Sequence, residues 1–157
     1  MKDYFHEAHV ALNVAQLEYA TTNSLSALGA HSTNHICETA VREIWEKATG
    51  DIFPHDYFKP FHKPVVYIKR MGFWPYYSPQ TQGFMEKQHG MALDEVRYEN
   101  TQAYRDHTNP KSRMRGKELI AGTLAVLEET EKLSHNGAVL ECIRQYASKV
   151  RENASRR

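Results

Sequence analysis

Between Leu93 and His107 the chain reads Leu-Asp-Glu-Val-Arg-Tyr-Glu-Asn-Thr-Gln-Ala-Tyr-Arg-Asp-His. In a helix, about 100° per residue sets Arg97, Thr101 and Tyr104 along one edge, beside an apolar stripe of Leu93, Val96 and Ala103. A guanidinium offers a planar fork of donors that fits a phosphate, and the Tyr104 phenol can orient that phosphate or stack on a base. Asn100 lies near the apolar edge, where a polar side chain needs partners, so it reads either as a ligand contact or as a packing group. His107 changes protonation near neutrality and can act as general acid or base if a substrate hydroxyl comes within reach. Plainer roles compete: Asp94 stands three residues before Arg97, as in ordinary helix ion pairs, and His107 beside Arg105 suits a solvated helix end. The basic run Lys111, Arg113, Arg115 and Lys117 follows directly. It can draw a phosphate backbone toward Tyr98 and Tyr104, or form a solvated face.

A second constellation is His31, His35 and Glu38, whose spacings of four and three put two imidazoles and a carboxylate on one helical face, as metal sites in bundles require. A further ligand would have to come from elsewhere, with His55, His62 and His89 available. The competing reading is again an ion pair, because Arg42 follows Glu38 by four residues. This face is turned roughly 130° from the apolar stripe of the same helix. No Gly-rich phosphate loop, Cys-pair zinc motif, nucleophile elbow or kinase signature occurs, and no cofactor is expected.

These residues need helices to position them. Phe5, Ala8, Leu12, Ala15 and Tyr19 repeat at three and four and mark a first helix from Tyr4 to about Tyr19. A second starts near Ser24 or only near Ser32; Ile36, Cys37, Ala40, Val41, Ile44, Trp45 and Ala48 give it a broad apolar face, and Gly50 fits a left-handed cap. Asp51 to Pro79 holds five of the 6 prolines and reads as a long ordered connection. Within it, Pro64 to Lys69 suits a strand or a short helix equally, and Phe73 to Tyr77 suits an aromatic loop laid over the bundle. Ser78 and Pro79 open a short helix that Gly90 is expected to stop, with the Arg97 helix following and Thr108 to Pro110 ending it. Leu119 to Thr130 marks a long helix, Ser134 to Gly137 a turn, and Val139 to Val150 a last amphipathic helix with a frayed basic tail at about 152–157.

With 157 residues, 41% hydrophobic and 25% charged, the composition suits one globular domain spanning 1–157, all-α and large enough to bury a core without disulfides. Cys37 and Cys142 read as buried thiols in a reducing cytoplasm. The N-terminus lacks an apolar stretch of signal length, and no run approaches the ~18 apolar residues that span a bilayer, so no membrane is expected. A net charge of +1 gives no global pull on nucleic acid, so an anionic ligand needs a local patch.

In order, these pieces resemble a HEPN domain, the helical family named for higher eukaryotes and prokaryotes nucleotide binding. His35-Ile-Cys-Glu-Thr-Ala-Val-Arg-Glu-Ile-Trp-Glu-Lys47 resembles the family's central helix, Phe53-Pro54-His55 its following connection, and Ala92-Leu-Asp-Glu-Val-Arg-Tyr-Glu-Asn100 the segment holding its functional arginine. The resemblance spans roughly residues 1 to 133. It implies nucleotide or RNA binding, a toxin or defence setting with an antitoxin-like partner, and a homodimer whose arginine helices face one another. Catalytic members carry an arginine, four to six intervening residues and a histidine; here six residues after Arg97 lead to Tyr104, and His107 lies beyond. If the chain is an enzyme, the resemblance implies metal-independent RNA cleavage by Arg97, Tyr104 and His107, with Asn100, Thr101, Lys111 and Arg113 binding ligand. The alternatives are a metal-assisted hydrolase built on His31, His35 and Glu38, and a non-catalytic protein-interaction module.

Overall fold

The computed structural model describes residues 3–22, 30–54, 64–98 and 116–155, and these form six α-helices and one 3-10 turn with no strand. In chain order they are α1 (Tyr4–Thr22), α2 (Ala30–Thr49), α3 (Pro64–Met71), the 3-10 turn Trp74–Tyr76, α4 (Pro79–Tyr98), α5 (Gly116–Leu133) and α6 (Gly137–Ser155). None of the described helices is long and apolar enough to cross a membrane.

The architecture is organised around α2, which packs against α1, α3, α4, α5 and α6. Its positions Ile36, Cys37, Ala40, Val41, Ile44, Trp45 and Ala48 are all buried, as their spacing requires. Gly50 ends the helix at φ 74°, and its N–H donates to the Glu46 carbonyl at 2.8 Å. Among the carbonyls left open at this C-terminus, that of Ala48 accepts from Arg144 Nε at 2.8 Å, a cation where the helix dipole favours one.

The connection after α2 is more regular than the proline count suggests. Pro64 to Met71 is a helix, because Pro64, Val65, Ile68 and Met71 bury one helical face whose last member lies past Lys69. Pro64 itself sits at the first position, where a missing N–H costs nothing. Phe73 and Tyr77 are buried, and the Tyr77 hydroxyl meets Thr130 Oγ1 at 2.6 Å. Phe53 bridges this layer to α2, edge-on to Trp45 and tilted against Tyr67, each with centroids 5.8 Å apart.

Gly90 does not stop a helix. α4 runs unbroken through it to Tyr98, because Thr81, Met85 and Gln88 are locked into the core and carry the helix past one unfavourable residue. Gln88 is fully buried and satisfied on both sides: its amide N–H donates to Thr33 Oγ1, and its carbonyl accepts from Cys37 Sγ at 3.7 Å. Last, α6 opens on Asn136, whose Oδ1 accepts from the Ala138 and Val139 amides, and it continues to Ser155.

α4 and α5 are antiparallel, joined by a clasp at one end. The Ser78 hydroxyl accepts from the Thr81 amide at 3.2 Å as a helix cap, and Glu129 of α5 reaches over to accept from the Ser78 amide at 2.8 Å, the Ser78 hydroxyl at 3.2 Å and the Thr81 hydroxyl. Further along, Phe84 lies against Gly122, and Lys87 faces Glu118 at 4.0 Å.

Two outcomes follow from this packing. A Cβ at Gly122 would collide with the Phe84 ring, so Gly122→Ala sets an overpacking cost of about 1–3 kcal/mol against a helix-propensity gain of about 1 kcal/mol. The net result expected in urea unfolding is a loss of about 1 kcal/mol; a stabilised variant would show that Phe84 swings clear. Burial pushes the Cys37 thiol up to about 12, so a disulfide reagent should modify half-buried Cys142 in the native protein and reach Cys37 only on unfolding. Rapid labelling of both in the native state would contradict that burial.

Candidate functional site

The antiparallel register decides where the Arg97 segment lies. Glu129 meets Ser78, Gly122 meets Phe84 and Glu118 meets Lys87, so each step toward the end of α4 is a step toward the start of α5. At that pitch the start of α5 stands beside the Gly90 turn. Position 97 lies seven residues further, about 10 Å along the axis. The last turn of α4 and exposed Lys117, the final member of the basic run, therefore share one end of the bundle, opposite the Glu129 clasp. The backbone of Arg97 belongs to α4; its side chain, together with Asn100, Thr101, Tyr104, His107, Lys111 and Arg113, lies outside the described residues.

The second constellation is brought together only in part. Glu38 is buried and His35 is exposed on the same turn, with His35 Nδ1 3.8 Å from Glu38 Oε2. The hydrogen bond to Glu38 raises the His35 pKa most, and burial opposes it. The side chain of His31 lies outside the described residues. Arg42 pairs with Glu46, at 3.6 Å, and covers the Tyr4 ring at 4.9 Å. Among the described residues no group of three or more His, Cys, Asp and Glu side chains is placed to hold a metal ion.

Sequence reasoning missed an open cleft of about 450 Å³, formed where the start of α1, the last turns of α2 and the α5–α6 turn meet. His6, His9, Glu43, Lys47, Glu131 and His135 line it. His9 Nε2 is 3.8 Å from Glu131 Oε2, and Glu43 Oε2 accepts from the Tyr4 amide at 3.2 Å. Lys47 Nζ lies 3.2 Å from His135 Nδ1 and 3.4 Å from Ser134 Oγ. An ammonium can only donate, so in this contact the imidazole Nδ1 is the acceptor side. Burial raises the pKa of Glu43. With Asp3, the carboxylates number three against one lysine, the wrong balance for a phosphate, and the pairs lock α1 onto the far end of α5. The available signal was the Glu43–Lys47 spacing of four beside the His6–His9 spacing of three, but nothing local announces that α1 and the α5–α6 turn meet there.

His35 gives a pH test. A raised folded-state pKa contributes stability that is complete below the unfolded value of about 6.5 and is lost as pH rises through the folded value. His35→Gln should therefore lower the urea midpoint at about pH 5.5 and leave it nearly unchanged at about pH 9, with a small amplitude because His35 is exposed. Equal effects at both pH values would refute the His35–Glu38 coupling.

No family model matches this chain, and no curated protein or solved structure matches it either.

Proposed function

We propose that this chain is a HEPN-like, nucleotide- or RNA-binding helical protein whose anion-binding end is the last turn of α4 together with the basic approach to α5. The observation that carries the reading is the antiparallel α4–α5 register, which assigns position 97 and Lys117 to the same end of the bundle. A guanidinium at position 97, on the same end as Lys117, is the local cation that a net charge of +1 does not provide globally. The His9–Lys47 cleft competes less well, since its carboxylates repel phosphate.

In this reading Arg97 holds a phosphate through paired N–H donors, Asn100 and Thr101 add hydrogen bonds, Tyr104 stacks on a base, and Lys111 and Arg113 add longer-range attraction. If RNA is cleaved, Tyr104 and His107 are the groups that can move a proton without a metal. A toxin or defence role in the cytoplasm, opposed by an antitoxin-like protein, is the setting this reading brings with it.

Binding of a labelled single-stranded oligoribonucleotide, followed by fluorescence anisotropy at low salt, tests the assignment. Arg97→Ala should weaken binding by about 1–3 kcal/mol, roughly five- to 150-fold, with an unchanged circular-dichroism spectrum. Lys132→Ala, at the opposite end of α5, should bind as the wild type does. If binding survives Arg97→Ala but collapses with His35→Ala or a chelator, the metal-assisted reading replaces this one. If the wild type binds no oligoribonucleotide or nucleotide, the interaction-module reading does.

A further inference from the structure

Three histidines, three carboxylates and one lysine line the cleft between the start of α1, the last turns of α2 and the α5–α6 turn. Their contacts respond to protons in opposite directions. Lys47 Nζ lies 3.2 Å from His135 Nδ1 and 3.4 Å from Ser134 Oγ, and this tie between α2 and the turn needs an imidazole nitrogen with a free lone pair. A proton on that nitrogen removes the acceptor and sets two cations against each other. His9 works the other way, since a proton turns its 3.8 Å contact with Glu131 into an ion pair between α1 and α5.

We propose that this cleft is an acid-responsive joint, in which protonation of its histidines loosens the α5–α6 turn from α2 and holds α1 more firmly on α5. Lys47 has a second partner within reach. Glu43 stands one helical turn before it, in the order that favours an ion pair. It spends Oε2 on the Tyr4 amide, and among the described residues its Oε1 has no hydrogen-bond partner. When His135 takes up a proton, the lysine exchanges the turn for Glu43. The remaining charged groups of the cleft are Asp3 and His6 at the start of α1, where Asp3 Oδ1 accepts from the His6 amide at 3.0 Å; α6 adds none to the lining. Protons added to His6 and His9 therefore enter a cleft in which carboxylates outnumber the one lysine, and only the proton on His135 lands against a cation. The response opens below the ordinary imidazole value of about 6.5 and closes where Glu43 itself is protonated, a point that burial moves upward. The joint is separate from the α4–α5 end and does not rest on the RNA-binding reading.

Amide hydrogen exchange of the full chain, read by NMR as protection factors at about pH 7.5 and about pH 5.5, separates the two states. The reporters are the Ser134 amide, which donates to the Thr130 carbonyl at 2.9 Å, and the Asn136 amide, which donates to the Leu133 carbonyl at 3.0 Å. Acidification should lower their protection about five-fold, the scale of two unit charges about 4 Å apart in water, and leave the Gly72 amide at the end of α3 unchanged. His135→Gln keeps an acceptor that cannot be protonated, so its turn should lose this pH dependence. Lys47→Met should leave the turn equally loose at both pH values, and His9→Gln should lower the protection of α1 only at the acid one. A wild-type turn equally protected at both pH values, a His135→Gln turn that loosens with acid as the wild type does, or a His9→Gln effect on α1 that ignores pH would each overturn the proposal.

Discussion

Everything in this bundle depends on covering α2. Its buried apolar positions from Ile36 to Ala48 spread over an arc of about 180°, half of the helix circumference, so no single neighbour can take them out of water. Five other helices share the task. Because interiors are packed to near-crystalline density, fixing the helices around α2 also fixes them against one another. Three of the polar groups trapped by this crowding are answered in place: Gln88 between Thr33 and Cys37, Tyr77 on Thr130, and the Ala48 carbonyl on Arg144.

The two ends of the bundle differ as a result. At one end Glu129 closes over the first turn of α4, and around the α5–α6 turn His9 pairs with Glu131, Glu43 accepts from the Tyr4 amide and Lys47 lies against His135, contacts that stitch α1 and α2 to α5 and the turn. At the other end α4 runs on past the start of α5, where exposed Lys117, the last residue of the basic run, stands. The proposal of an anionic ligand at the Arg97 turn rests on the α4–α5 register, which sets position 97 and Lys117 at this same end.

How much of this was legible in the chain varies with how local each signal is. The apolar faces of α1, α2, α5 and α6 were readable because burial imposes a spacing of three and four over several turns. The cap at Gly50 was readable because a left-handed residue has few chemical choices. Pro64 to Lys69 was ambiguous over six residues, and Met71 resolves it. Gly90 misled because its helical cost is local, whereas the buried Thr81, Met85 and Gln88 that overcome it depend on contacts with distant helices. The Glu129 clasp and the His9–Glu131 pairing join residues far apart in sequence, and no local pattern encodes them. For the candidate site, the residue types around Arg97 single it out as an anion-binding candidate, while the end of the bundle where its backbone lies comes from the α4–α5 register, which no local pattern encodes.

Amide chemical-shift mapping on the isotope-labelled protein, titrated with an oligoribonucleotide, tests the central assignment most directly. Shifts should concentrate at Val96 to Tyr98 and Lys117 to Leu119, with Ser78, Glu129 and Thr130 unmoved. Shifts confined to the Glu129 clasp or to the His9–Lys47 cleft would contradict it.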